Sequence, residues 1–244
     1  MKKILFLILG LLFIQIASAD TVNIDWSVDG QTYTQTSCTV GGDIILPTAP
    51  TKRGHTFLGW VAYTPIEYIE FTGTQYIDLG SLTTGYGFSV QFGINLTQVS
   101  RENVFVFGKD NNAIALFIVD SKFAFWQSGT GLQSSVTIVQ GTKYDAEYIV
   151  RPTSVTMNIN GIVTNINQTV ILSANNDVKI AKSSSPMRAK IYYARIYDVN
   201  ENLVRDFIPV LDKNGTPCMY DRVTDTCFYN SGTGDFIAGP VITE

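Results

Sequence analysis

The chain has 244 residues, 45% of them hydrophobic and 16% charged, with a formal net charge of −4 at pH 7. That length is ample for one large β domain plus a small one. The acidic excess excludes a nucleic-acid binder, whose partner's phosphates require a basic footprint.

The N-terminus carries Lys2 and Lys3, an apolar run from Ile4 to Ile16 broken only by Gly10 and Gln15, and then Ala17-Ser18-Ala19 before Asp20. This is the layout of a secretory signal peptide, residues 1–19, cleaved after a small-x-small site. The run is short for a membrane span and no stop-transfer pattern follows, so no membrane insertion is expected after cleavage. No Cys stands at the cleavage point to take a lipid, and Ile237 to Glu244 has neither an apolar tail nor a basic stop. Without Lys2 and Lys3, the 17 basic residues fall to 15 against 21 acidic ones, and no polybasic patch for a membrane surface remains. The expected location is extracytoplasmic: secreted, cell-surface or periplasmic.

From Asp20 onward helical periodicity is almost absent. Short alternating runs recur between Gly, Asn, Asp and Pro, which predicts an all-β chain. The first segment, residues 20–63, starts with a strand at Val22-Asn23-Ile24-Asp25-Trp26, turns at Asp29-Gly30 and breaks at Gly41-Gly42 before Ile44-Ile45-Leu46-Pro47. It closes on Pro50-Thr51-Lys52-Arg53-Gly54-His55-Thr56-Phe57-Leu58-Gly59-Trp60. Arg53-Gly54 makes a turn, and Phe57 and Trp60 supply the large apolar surface that so small a module needs. The string resembles the closing signature of the internalin-type B repeat, a β-grasp-like module of bacterial surface and secreted proteins, with His55 in place of its usual Tyr.

The second segment, residues 64–244, follows an interruption at Thr64-Pro65. It opens Glu67-Tyr68-Ile69-Glu70-Phe71-Thr72-Gly73-Thr74-Gln75-Tyr76-Ile77-Asp78. Strands are predicted at Phe88–Phe92, Val104–Phe107, Ala113–Val119 and Lys122–Trp126. A hairpin pairs Val155–Ile159 with Ile162–Ile166 across Asn160-Gly161. Lys190-Ile191-Tyr192-Tyr193-Ala194-Arg195-Ile196-Tyr197-Asp198, Leu203–Val210, Met219-Tyr220-Asp221 and Asn230-Ser231-Gly232-Thr233-Gly234-Asp235-Phe236 complete it. So many short strands imply a two-sheet jelly-roll sandwich. The segment resembles the concanavalin A-like or laminin G-like domains of bacterial exported proteins. That resemblance implies a fold shared by sugar binders, protein binders and glycosidases, and no single activity.

Catalytic patterns are scarce. A glycosidase needs two carboxylates across the sugar. The Glu-x-Asp-x-x-Glu string of the laminarinase-like branch is missing, and the nearest pair, Glu67 and Glu70, is spaced to face opposite sides of a strand. The single His, His55, sits in an aromatic slot of the small module with no nucleophile motif beside it. One His and three scattered Cys do not make a zinc site. Asp110-Asn111-Asn112 and Asn175-Asn176-Asp177 are oxygen-rich segments of a type that could hold one structural calcium ion, although plain turns are the preferred reading. Arg205 and Asp206, adjacent on a strand, face opposite ways and are read as structural.

Aromatic residues are plentiful. Phe123 and Phe125 share one face of their strand and Trp126 takes the other, beside Gln127 and Ser128, so Trp126 is the candidate ring for stacking on a sugar. Tyr192, Tyr193 and Tyr197 enrich a second strand, though core packing is the default for most rings. Three cysteines in an exported chain permit one disulfide. Cys218 and Cys227 bracket a turn near Val223-Thr224-Asp225 that would set them across a strand pair, leaving Cys38 free. The expected function is non-catalytic binding or adhesion toward a glycan or a cell-surface protein. A glycoside hydrolase and a purely structural surface component are the alternatives.

Overall fold

Alternation of apolar and polar residues governs the chain, and every regular element among the described residues is a β-strand in an antiparallel pairing. The computed structural model describes residues 20–28, 31–53, 63–108, 113–181 and 187–242. The chain divides into two compact units, Met1–Trp60 and Val61–Glu244.

In the first unit, β1 (Thr21–Val28) and β2 (Gln31–Thr39) form a hairpin. Its polar rungs are Trp26 Nε1 donating to Thr36 Oγ1 at 2.7 Å, Gln35 to Asp25 at 2.7 Å and Ser37 to Asn23 at 2.8 Å. Trp26 is the buried ring of this hairpin, and Cys38 is a half-buried thiol. The turn at Asp29-Gly30 and the signature residues from Gly54 to Trp60, His55 among them, lie outside the described residues.

The second unit begins earlier than Thr64. Tyr63–Pro65 form β3, which pairs through Val210↔Pro65 and Asp212↔Tyr63. Thr64-Pro65 is thus a sheet-edge strand, where a residue without an N–H is tolerated. One sheet has the order β10-β9-β8-β7-β14-β5. Its strands are β5 (Ile77–Thr83), β7 (Glu102–Phe107), β8 (Ile114–Val119), β9 (Lys122–Gln127), β10 (Thr130–Thr137) and β14 (Asn175–Ile180). The other follows β13-β12-β11-β6-β15-β16-β17-β18. It contains β6 (Phe88–Leu96), β11 (Lys143–Arg151), β12 (Ser154–Ile159), β13 (Ile162–Asn167), β15 (Arg188–Asp198), β16 (Leu203–Asp212), β17 (Pro217–Asp221) and β18 (Thr226–Phe228). β4 (Ile69–Thr72) also pairs with β15, and β19 (Ile237–Ala238) with β4.

Aromatic rings fill the space between the sheets. Phe88 stacks on Phe107 at 4.0 Å, Phe92 meets Phe105 at 5.2 Å, and Tyr144 meets Phe123 edge-on at 5.5 Å, each contact crossing from the larger sheet to the smaller. The chain is therefore all-β and its large unit is a two-sheet jelly-roll sandwich, as its alternation predicts.

Two expectations need correction. Asn175-Asn176-Asp177 is not a loop but the start of β14: Thr83 Oγ1 donates to Asn175 at 2.7 Å, and Asn176 Nδ2 bonds Thr84 Oγ1 and Ser173 O. Asp110-Asn111-Asn112 lies outside the described residues. Cys227 stands opposite Tyr220, not Cys218, so the two sulfurs are diagonal neighbours on one face of the β17–β18 hairpin. Both are thiols here, Cys218 buried and in hydrogen-bond contact with Cys227, and burial pushes the Cys218 thiol up.

One buried carboxylate gives the fold a pH signature. Glu102 accepts from Ser100 Oγ at 2.8 Å and from the Arg188 N–H at 3.0 Å, yet burial outweighs these bonds and holds its pKa above the usual range. The native state then binds this proton more readily than the unfolded chain, so this contribution strengthens as pH falls through the carboxylate range. Compared with a Glu102→Gln variant in urea melts, the wild type is expected to gain stability between pH 7 and pH 4. A constant difference across that range would refute the assignment.

Candidate functional site

Neighbouring strands of the larger sheet place polar side chains in rows on its outer face. One row runs Asp206–Arg195–Gln91–Glu147–Asn158 across β16, β15, β6, β11 and β12. These positions alternate with core residues, as in the pattern around Ala146 and Tyr148 on β11, so the same period that buries one face sets these groups toward solvent.

The row is internally bonded. Gln91 Nε2 donates to Glu147 Oε1 at 2.8 Å, Asn158 Nδ2 lies 3.5 Å from Glu147 Oε2, and Tyr197 OH donates to Gln91 Oε1 at 3.3 Å. Asn158 Oδ1 is buried without a hydrogen-bond partner. At the other end Asp206 accepts from Arg195 Nε at 3.1 Å and from both Nε and a terminal nitrogen of Arg222, at 3.0 and 2.6 Å.

The next row is Asp145–Gly93–Tyr193. Tyr193 OH donates to Asp145 Oδ1 at 3.0 Å, and burial followed by this bond pushes the phenol up to about 12, so it remains a donor at neutral pH. The ring lies over Gly93: a Cβ there would come within 2.8 Å of Tyr193 Cε1. A β-bulge puts Tyr193 in this position, since Ile191 pairs with Ile94 and Tyr193 with Gly93, leaving Tyr192 as the extra residue. Asn160 and Gly161, both at positive φ, close the β12–β13 hairpin, and Asn160 Oδ1 accepts from the Asp145 N–H at 2.7 Å. Together Gln91, Asp145, Glu147, Asn158, Asn160 and Tyr193 line a shallow open pocket.

Trp126 is elsewhere. It is half-buried on the outer face of β9 in the smaller sheet, between Ala115 and Gly131. Phe123 and Phe125 are in the core, as alternation requires. Gln127, expected to flank the ring, is turned inward, where its amide donates to Ile171 O at 2.6 Å and accepts from Ile171 N–H at 2.8 Å. Glu67 and Glu70 are not the informative carboxylate pair. Asp145 and Glu147, two apart on β11, share a face about 7 Å apart along the strand. The alternation Lys143-Tyr144-Asp145-Ala146-Glu147-Tyr148 held that signal. Arg205 and Asp206 do face opposite ways: Arg205 pairs with buried Asp221 at 3.4 Å while Asp206 joins the outer row.

No protein-family model matches the chain, and no curated protein matches its sequence. Solved structures are similar in fold. A Bacteroides ovatus protein assigned a carbohydrate-binding role is 12% identical with a TM-score of 0.55, covering 74% of this chain and 61% of its own. Domains LG4-5 of the mouse laminin α1 chain are 8% identical at a TM-score of 0.47, covering 88% and 50%. Domain 4 of an extracellular arabinanase from Geobacillus stearothermophilus, in complex with arabinotriose, is 20% identical at 0.47, covering 57% and 76%.

Proposed function

We propose that this protein is a non-catalytic, extracytoplasmic glycan-binding protein whose ligand lies on the outer face of the larger sheet. The observation that carries this reading is the pocket formed by Tyr193, Asp145, Glu147, Gln91 and Asn158. It offers a ring, carboxylate acceptors and the amide side chains of Gln91 and Asn158 side by side, the mix that sugar hydroxyls and sugar C–H faces require. The leader-like residues 1–19 support export, and the fold likeness to the B. ovatus protein is compatible with a sugar ligand. The small module is read as B-repeat-like on the strength of its signature residues alone.

On a glycan array followed by calorimetry, Tyr193→Ala and Glu147→Gln are each expected to weaken binding about tenfold, the scale of one ring contact or one hydrogen bond to a charged group, with the melting temperature held. Gly93→Ala is expected to do the same, because the new methyl group displaces the Tyr193 ring from Asp145. Loss of binding in Trp126→Ala, with Tyr193→Ala unaffected, would instead move the site to the smaller sheet. The same-face pair Asp145 and Glu147 keeps hydrolysis as the second reading. Release of reducing sugar that disappears in Asp145→Asn or Glu147→Gln would overturn the non-catalytic assignment.

Export also bears on the thiols. In an oxidising compartment Cys218 and Cys227 are expected to join, stabilising the hairpin by about 2–3 kcal/mol. Non-reducing peptide mapping that links Cys38 to either one would refute this.

A further inference from the structure

One row of the same outer face lies beyond the pocket. Glu70, Lys190, Asn95 and Lys143 stand in register across β4, β15, β6 and β11. Tyr192, the extra residue of the bulge, sits beside them, and Tyr68 meets its ring at 5.6 Å and 65°. The Lys143 ammonium lies 4.2 Å from the centre of the Tyr192 ring, and that of Lys190 lies 4.3 Å from the centre of Tyr68. Lys190 also donates to Tyr68 OH at 3.1 Å.

The charges here are left in an unusual state. Arg195 and Arg222 are committed to Asp206, Arg205 to Asp221 and Lys179 to Asp78. Lys143 and Lys190 have rings beneath them, and among the described residues neither is in an ion pair. Glu70 is the cross-strand neighbour of Lys190 without pairing to it. An ammonium has three N–H donors, and a ring face satisfies them only in part. Asn95 Oδ1, between the two lysines, is a buried acceptor with no partner.

We propose that Lys143, Lys190, Tyr68 and Tyr192 form an anion subsite, so that the ligand is an acidic saccharide. This rests on the glycan-binding reading and deepens it. One sugar's hydroxyls meet Asp145, Glu147 and Asn158. The carboxylate or sulfate of a neighbouring sugar meets the two ammonium groups. Lys143 and Asp145 are two residues apart on β11, about 7 Å, a distance that adjoining sugar units bridge. The chain as a whole is acidic, so any preference for a polyanion must arise at these two ammonium groups rather than from the overall field.

The test titrates the whole chain by calorimetry with neutral, uronic-acid and sulfated oligosaccharides of equal length, at low and high salt. At low salt one acidic class is expected to bind at least about tenfold more tightly than the neutral one, the scale of a charge-assisted contact, and salt should erode that margin. Which class leads identifies the anion as carboxylate or sulfate. Lys143→Gln and Lys190→Gln, with melting temperatures measured alongside, should each remove most of the preference, whereas Tyr193→Ala weakens all three ligands. Equal affinity for neutral and acidic ligands, or a preference that survives both lysine variants, overturns the anion subsite and leaves glycan binding standing. Failure to bind any saccharide overturns both.

Discussion

Asp221→Ala is expected to destabilise the large domain by about 3–5 kcal/mol, the scale for removing one partner of a buried ion pair. Asp221 is fully buried and unites four groups: its carboxylate accepts from the Asp206 and Val223 N–H groups at 2.8 and 3.2 Å and from Thr224 Oγ1 at 2.7 Å, and it pairs with Arg205. Truncation strands all of them. Arg205 suffers most, since its Nε already lacks a hydrogen-bond partner and its guanidinium would keep its charge without a counterion. A double variant, Arg205→Met with Asp221→Ala, should recover part of the loss, because the unpaired charge is then gone. Urea unfolding measures both. A single-variant cost below about 1 kcal/mol, typical of an exposed pair, would show that water reaches the site.

Phe92→Ala is expected to cost a similar amount, about 3–5 kcal/mol, through a cavity at the centre of the sandwich. Phe92 is fully buried on β6, tilted against Phe105 of the other sheet at 5.2 Å and stacked near Tyr148 at 6.0 Å. Tyr148 itself donates to Ala124 O across the gap at 3.4 Å. Removing the ring therefore loosens both halves of the sheet-to-sheet contact. Phe92→Leu, which keeps most of the volume, should cost clearly less. Equal losses for both variants would point to ring–ring geometry, rather than packing, as the main effect.

Much of this architecture is legible in the residues, and the reason is periodicity. Asn160-Gly161 marks its hairpin because both residues must adopt positive φ, and Phe123 and Phe125 fall in the core because a strand has period two. The polar pocket is less legible. Its members come from β6, β11, β12 and β15, brought together by register, and no local string encodes which strand lies beside which. Asp145 and Glu147 could have been found from their shared face, but their relation to Gln91 and Asn158 could not. The Tyr192–Tyr193 bulge is invisible to alternation, which would send adjacent tyrosines to opposite faces. Trp126 met its expectation of facing away from the core, while Gln127 did not flank it, because a buried amide that bonds both main-chain groups of Ile171 is a structural brace.

The bulge on β15 also constrains how this strand can change in length. Before it, the even-numbered Arg188 and Lys190 face outward; after it, the odd-numbered Arg195 and Tyr197 do. The extra residue acts as a phase shift between two stretches of one strand. Deleting Tyr192 alone would restore plain alternation with every other residue keeping its face: Ile191, Ala194 and Ile196 inward, Tyr193, Arg195 and Tyr197 outward. The strand can therefore lose this one residue without a register slip, at the cost of the Tyr192 ring, whereas losing one residue between Ala194 and Tyr197 would turn outward positions toward the core. Homologous chains should accordingly differ in length at the bulge rather than along the rest of the strand.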